Sequence, residues 1–591
     1  MKGILVFGVL MALISCGSID AQHRQLDWWE RMTLYQIYPR SYQDSNGDGV
    51  GDLKGITSRL HHLVDAGVDA FWLSPIYKSP MADFGYDIAD FRNIDPIFGT
   101  LDDFDQLVRT AHDLGLKVLM DLVPNHSSDE HEWFQRSLRN ETPYADFYTW
   151  HPGTVVNGER VRPNNWVSVF GGPAWTWRDE RQAWYLHQFD PKQPDLNYRN
   201  EHLVQEIKDV FVYWMDRGTD GFRVDAVPHL FEIESLIDEP LSGSTDIPTN
   251  YSYTVHDYTT NLEEVYDMVG QWVQVLKDYS DRSNSTRIMM IEAYTNISCT
   301  MRFHEIGAQF SFNFGFIENI DESATALDIK RKVIDNWLDN LPPQSTPNWV
   351  IGNHDKNRVA SRFVPELVDA LNMVNHLLPG VGVTYYGEEI GMEDRWISWN
   401  DTQDPQGCGA TPETFEDYSR DPARTPMQWD ATTAAGFSTT DKTWLPVNDN
   451  YRTLNLAAQK EADVSHFKVY QAILRLKKEA VIQHGTVNVK LLNKNVLAFS
   501  RELEGSGEVI VVANMVNRTE KISLNAFSGL PDTLTVSIAS IHSSLTAGTE
   551  VSKSSFEISG MAGLVLRSGA DALTSSLVLT LITVLLAYFR Y

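Results

Sequence analysis

Short apolar runs of strand character recur along the chain: Leu34–Tyr38, Ala70–Ile76, Lys117–Val123, Gly221–Val227, Ile288–Ala293, Gln309–Asn313, Trp349–Gly352 and Gly382–Tyr386. Each has the length of a buried strand and is too short for a buried helix. Between several of them, apolar residues fall three and four apart, as in Phe104, Leu107, Val108, Ala111 and Leu114. That spacing puts one apolar stripe on a helix. Strand alternating with helix predicts a parallel sheet, and eight such units predict a closed (β/α)8 TIM barrel. Two stretches break the rhythm. Residues 127–198, rich in Trp, Pro, Gly and charge, read as a lobe inserted after the third strand, and Gly391–Lys442 follows the eighth. From about residue 483, short alternating runs such as Val487–Leu492, Val496–Ser500 and Val509–Val512 predict an antiparallel β-sandwich domain. The expected organisation is barrel over 22–126 and 199–482, lobe over 127–198, and β domain over 483–567.

Three of the runs end in an acid: Asp225 after Gly221–Val224, Glu292 after Ile288–Ile291, and Asp355 after Trp349–His354. Barrel active sites lie at the C-terminal ends of the strands. Three such strands would bring three carboxylates to one rim. Side chains alternate along a strand, so Arg223 and Asp225 share a face, and the arginine favours the ionised carboxylate. An isolated pair of this kind reads equally well as a structural ion pair; its two acidic companions favour a site.

Composition changes the picture mainly at the termini. Lys and Arg number 49 against 79 Asp and Glu, a net charge of −30, which argues against a nucleic-acid partner. Lys2, the apolar run Ile4–Ile14 and small residues to Ala21 predict a signal peptide over 1–21; Leu13–Cys16 also reads as a lipoprotein cleavage box. At the other end the small residues Ser568, Gly569 and Ala570 precede a polar spacer and the apolar run Leu577–Phe589. That layout predicts a glycolipid (GPI) anchor at Ser568, with 568–591 as its signal and the protein on the outer face of the plasma membrane; a short stop-transfer helix is the alternative. Secretion agrees with sequons at Asn140, Asn250, Asn284, Asn296, Asn400 and Asn517. A seventh, Asn125, lies inside a strand-end motif and is expected to be buried and unmodified. Cys299 and Cys408 are the cysteines left after signal removal, and their spacing does not say whether they pair.

The segments Asp121–His126 (DLVPNH), Gly221–His229 (GFRVDAVPH), Glu292 within IMMIEAY, and Asn353–Asp355 (NHD) resemble the four signature regions of the α-amylase family of glycoside hydrolases. Gln193–Asn197 (QPDLN) and Ser419–Trp429 (SRDPARTPMQW) resemble its α-glucosidase and oligo-1,6-glucosidase branch, and the whole looks most like insect maltases anchored on the midgut surface. The resemblance covers nearly all of the chain between the termini, in family order. It implies an exo-acting, retaining α-glucosidase with Asp225 as nucleophile, Glu292 as acid/base and Asp355 as the third acid. His126 and His354 match hydroxyl-binding histidines, and Asp87 with Arg424 (Arg420 being the alternative) matches the pair behind the terminal glucose. Phe189 is the wall candidate among the lobe aromatics Trp166, Phe170, Trp175 and Trp177, which otherwise read as the lobe's own core. Ala226 follows the nucleophile where relatives often carry threonine or valine, so linkage preference between α-1,4, α-1,6 and sucrose stays open.

The loop Asp44–Asp52 places oxygens at every second residue (Asp44, Asn46, Asp48, the Val50 carbonyl and Asp52), which suits a hard cation, and the resemblance implies structural calcium there. An acidic turn without metal is the alternative reading. The resemblance further brings in a second copy of the chain and a bacterial toxin as partners, with no residue locating either surface. It also leaves a competing class, a barrel that has lost catalysis and serves as a binding protein. Three intact acids argue against that class.

Overall fold

The computed structural model describes residues 24–568. The expected signal peptide and the tail beyond Ser568 lie outside these residues; Ser568 itself ends the last strand, in register with Leu534. No helix among the described residues is long and apolar enough to cross a membrane.

Eight parallel strands form one sheet: β1 (Thr33–Ile37), β2 (Ala70–Leu73), β3 (Lys117–Leu122), β4 (Gly221–Val224), β5 (Ile288–Ile291), β6 (Phe310–Ser311), β7 (Asn348–Val350) and β8 (Val381–Tyr385). Their order is β6-β5-β4-β3-β2-β1-β8-β7. A main helix follows each strand: α1 (Leu53–Ala66), α2 (Leu101–Asp113), α3 (Glu201–Asp216), α4 (Glu263–Ser283), α5 (Ile297–Glu305), α6 (326–338, with a π-helical centre), α7 (Val368–Leu377) and α8 (His466–Lys477). The α2 stripe behaves as its spacing predicts. Phe104, Leu107, Val108 and Ala111 are buried, and Thr100 with Asp103 closes a capping box at its start, a cap of about 1 kcal/mol.

The strand pleat sorts side chains into two cores. Tyr35, Phe71, Val118, Phe222, Met289 and Trp349 pack outward with the helices. Leu34, Ala70, Trp72, Leu119, Ile288, Met290, Phe310, Val350 and Val383 form a separate cluster inside the barrel. Gly221 makes room for it, because a Cβ there would stand 2.6 Å from Ile288 Cγ1. Several interior positions nearer the strand C-termini are polar: Gln36, Ser74, Asp121, Arg223 and Glu292 are all buried. The barrel is thus apolar at its base and charged at its mouth.

Strands β6 and β7, at the ends of the ladder, are joined by a side chain. Asn348 donates through Nδ2 to the Ser311 carbonyl at 2.7 Å and accepts from the Asn313 N–H at 2.8 Å. An asparagine buried to 0 % exposure therefore stands in for two backbone bonds.

Residues 127–198 carry a three-stranded sheet (Trp150–His151, Ala183–Leu186, Trp175–Arg178) and a hairpin, Thr154–Val156 with Glu159–Val161. Trp166, Trp175, Ala174 and Leu186 make its small core. At the C-terminus a six-stranded antiparallel sheet and the pair Glu520–Ile522 and Phe556–Ile558 enclose a core that includes Val512, Leu534 and Leu564. Two buried basic side chains, Arg501 of this sheet and Lys477 at the end of α8, reach α7 and the turn after it. Arg501 donates to the Leu377 carbonyl at 2.8 Å, and Lys477 to that of Gly380 at 2.9 Å.

Asn125 is buried, as expected, whereas Asn140, Asn284, Asn296, Asn400 and Asn517 are exposed and Asn250 is half-buried. Cys299 and Cys408 are free thiols.

The seam makes a stability prediction. Asn348→Ala leaves the Ser311 carbonyl and the Asn313 N–H buried without partners, a loss of about 2–6 kcal/mol at about 1–3 kcal/mol per orphaned group. The urea midpoint should fall accordingly; an unchanged midpoint would show that the seam holds by packing alone.

Candidate active site

The three acids meet in one pocket of about 580 Å³ at the strand C-termini, which Asp225, Glu292 and Asp355 all line. Strands β4 and β5 each end at the residue before their acid, and β7 ends a short turn before Asp355. The carboxylates therefore stand on the turns above the barrel. For two of them the ladder still reaches the backbone: Asp225 N–H bonds the Leu122 carbonyl and Glu292 N–H that of Val224, both at 2.9 Å. These two are as fixed as strand residues.

Arg223 is the hub. In register with Asp121 on β3, it donates from Nη1 to Asp121 Oδ1 at 2.8 Å and to Asp225 Oδ1. Its Nη2 lies 3.7 Å from Glu292 Oε1. Glu292 Oε2 accepts from the Ala226 N–H at 2.7 Å. To aim that N–H, Ala226 adopts a left-handed backbone, φ 50° and ψ 30°, a conformation that β-branched residues enter only at high cost. Alanine at this position thus has a backbone reason as well as a size.

Burial pushes Glu292 up to about 8, with the charges of Asp225 and Asp355 adding to it against Arg223. Burial also raises Asp225, and Arg223 opposes that rise. Asp355 goes the other way: burial resists its ionisation, but His354, Arg420, Arg424 and Arg223 overcome it and hold the carboxyl well below the usual range. Since burial keeps His354 neutral, at about 3, the guanidinium groups supply the positive charge near neutral pH. Arg420 Nη1 and Arg424 Nη2 reach Asp355 Oδ1 at 3.3 and 3.2 Å.

His126, also lowered by burial to about 3, is neutral as well, and both histidines are braced. His354 Nδ1 meets Gln36 Nε2 at 2.8 Å and its Nε2 meets Tyr86 Oη at 2.7 Å. Tyr86 in turn donates to Asp121 Oδ2 at 3.2 Å and stacks on the His354 ring. His126 bonds the Tyr86 carbonyl at 3.1 Å and packs against Phe189, whose ring centroid is 5.2 Å away. Phe189 and Phe170, both of the 127–198 insertion, line the pocket.

The pair expected behind the terminal sugar needs correction. Asp87 does not line the pocket: it is fully buried and accepts from Ser79 Oγ and the N–H groups of Ala82 and Asp83. It staples the tight loop whose other acid, Asp83, faces the cavity. Arg424 is 1 % exposed and lies under the floor, donating to the His354 carbonyl and Asp355. Arg420 lines the pocket and meets Asp83 Oδ1 at 2.9 Å. Gln193, from the QPDLN segment, donates to Asp83 Oδ2 at 3.2 Å. Asp83, Gln36, Tyr86 and Asp121 thus join the site without having been expected there, and Arg420, the alternative, takes the place of Arg424. Asp121 has a signal in the chain, since it opens the DLVPNH motif; Gln36 carries none.

In the Asp44–Asp52 loop, Asp44 accepts from the N–H groups of Asn46, Gly47 and Gly49 and from Ser438 Oγ. Asp52 caps α1 and accepts from Ser45 and Gly55. The donors suit a hard cation by type. The carboxylates nevertheless turn onto the loop's own amides, and no three acidic, histidine or cysteine side chains among the described residues gather as metal ligands do.

A barrel of this topology, with two carboxyls sharing one arginine and a third acid in the same pocket, supports the chemistry of a glycoside hydrolase. Comparison with known proteins agrees. The alpha-amylase catalytic domain profile matches residues 36–485. An alpha-glucosidase of Apis mellifera is 50 % identical over 536 residues, covering 90 % of this chain and 93 % of the relative. A salivary alpha-glucosidase of Anopheles gambiae is 46 % identical over 581 residues, covering 95 % and 98 %. Among solved structures, the alpha-glucosyl transfer enzyme XgtA superposes with a TM-score of 0.81 at 32 % identity, over 92 % of this chain and 100 % of its own. The chain belongs to the alpha-amylase family. Within it, the protein is an enzyme of the α-glucosidase and maltase group of glycoside hydrolases.

The electrostatics predict the alkaline limb of activity. If Glu292 is the acid that protonates the leaving group, that proton is lost as pH rises through about 8. The kcat/KM for maltose should therefore fall above that pH. With glucosyl fluoride, whose leaving group needs no proton, that first step should stay flat. A maltose profile flat to a pH of about 10 would contradict the raised value.

Proposed function

We propose that the protein is a retaining α-glucosidase acting from the chain end, releasing glucose from the non-reducing end of maltose, short malto-oligosaccharides and sucrose. The observation that carries this reading is the convergence of Asp225, Glu292 and Asp355 in a pocket backed by the Asp83–Arg420 ion pair. Asp225, ionised beside Arg223, attacks the anomeric carbon while Glu292 gives its proton to the departing oxygen. A β-linked glucosyl ester on Asp225 results. Glu292, now a carboxylate, takes a proton from water, whose oxygen displaces Asp225, and α-glucose leaves. Asp355, ionised by its guanidinium neighbours, and the neutral His126 and His354 suit the binding of sugar hydroxyls. The Asp83–Arg420 pair lines the pocket that holds the three acids, and on this reading it closes the site beyond the terminal glucose, which supports chain-end action. The relatives named alpha-glucosidase point the same way.

Two substitutions test the carboxyl roles. Asp225→Gly with azide should turn α-glucosyl fluoride into β-glucosyl azide, because azide attacks through the space the carboxylate held. Glu292→Ala should accumulate the ester, and azide should release α-glucosyl azide from it. The same anomer from both variants, or near-native maltose turnover by either, would overturn the assignment.

The Asp44–Asp52 loop is proposed as a calcium site on donor type and spacing. A chelator should then lower the melting temperature, since an ion bound only to the folded state stabilises it by mass action. An unshifted transition, with no calcium by elemental analysis, would dismiss the ion.

A further inference from the structure

Arg420 is one of the residues that face the pocket from the stretch after β8, but what orients it lies outside the pocket. Arg420 sits at the end of an irregular segment that returns from Asp404 past the short helix Pro405–Cys408. Asp404 is fully buried, and its carboxylate takes the whole inner edge of the guanidinium. Oδ1 accepts from Nε at 3.0 Å and from Nη2 at 2.5 Å, and Oδ2 accepts from the Arg420 backbone N–H at 2.7 Å. The grip is reciprocal. Asp421, next to Arg420, accepts through Oδ2 from the backbone N–H groups of Gln403 and Asp404, at 2.7 and 3.0 Å. Two acids 17 positions apart thus close the segment into a ring.

The fork geometry makes this grip consequential. A guanidinium has five N–H donors in a fixed plane. Asp404 uses Nε and one hydrogen of Nη2. Asp83 takes the other Nη2 hydrogen at 2.9 Å, and Asp355 takes one of Nη1 at 3.3 Å. One Nη1 hydrogen remains, on the edge turned from Asp404, for a sugar hydroxyl. Without Asp404, nothing would stop the fork rotating to satisfy Asp83 and Asp355 bidentately, and the free donor would leave its place.

We propose that Asp404 is a positioning residue for substrate specificity: by gripping the inner edge of Arg420 it holds the outer edge against Asp83, Asp355 and the terminal glucose. This rests on the chain-end reading above, since it concerns the same glucose subsite. Asp404 touches no substrate; it acts through Arg420.

Glucose binding to the full-length protein, followed by calorimetric titration, tests the proposal without requiring turnover. Asp404→Asn should weaken glucose by about 10- to 100-fold, the range for losing a hydrogen bond to a charged group. It should raise KM for maltose similarly while kcat changes by less than about fivefold. Asp404→Ala should be no better, and the effects of Asp404→Asn and Arg420→Ala should not add. Native glucose affinity in Asp404→Asn, additive effects, or a loss of kcat at unchanged KM would each overturn the proposal. Should a variant fold poorly, its binding-competent fraction shows as reduced stoichiometry, while the affinity of that fraction still reports the positioning. Failure of the chain-end reading itself would appear separately, as wild-type protein that neither binds glucose nor prefers maltose to starch.

Discussion

The mouth of this barrel depends on one buried arginine. Arg223 is 3 % exposed, and Asp121, Asp225 and Glu292 all lie within its reach. A lone buried guanidinium would be prohibitively unstable, and a lone buried carboxylate would simply take up a proton. Together they reach a compromise in which the carboxyls differ. Asp225 has the shortest contact with the guanidinium, whereas Glu292 receives one distant guanidinium nitrogen and a backbone N–H and keeps its proton to about 8. Removing Arg223 would therefore disturb more than one ion pair, because it would erase the difference between two acids of similar intrinsic strength.

The barrel makes such a cluster tolerable by its construction. The inward side chains are apolar at the base and polar above, so the charges stand where strands end and inserted segments cover them. Those segments come from different places: the insertion after β3 brings Phe170 and Phe189, the turn after β4 leads to Tyr251, and the stretch after β8 brings Arg420. The base holds the shape, with Asn348 closing the ladder between β6 and β7. Acids at strand ends and other pocket-lining groups on inserted segments is a division that lets the pocket walls vary without moving the acids. Among those groups, Arg420 is held most firmly, through an acid that never enters the pocket.

Much of this is written locally in the chain. The eight strands are legible because each is a short apolar run bounded by polar text, and the acids because each follows its run closely. The period of two along a strand also assigns Arg223 to the face of Asp225 with no knowledge of their neighbours. The apolar runs overshoot the strand ends wherever apolar text continues into the catalytic turn, as after Val224 and Ile291. Hydrophobicity reports burial, and the turn is buried as deeply as the strand.

Tertiary structure alone decided which of two similar residues lines the pocket. Asp83 and Asp87 stand four apart in one segment, as do Arg420 and Arg424, and in each pair sequence resemblance favours the member that does not line the pocket. A loop has no fixed period, so its side-chain directions follow from individual backbone angles, here left-handed at Met81, Phe84 and Gly85. Nor could sequence show that Gln36 braces His354 across 318 positions, or that Asp404 aims Arg420. The sequence by itself determined the barrel and its three acids, because strand period and strand termini are local properties. The partners of those acids belong to contacts that exist only once the barrel has closed.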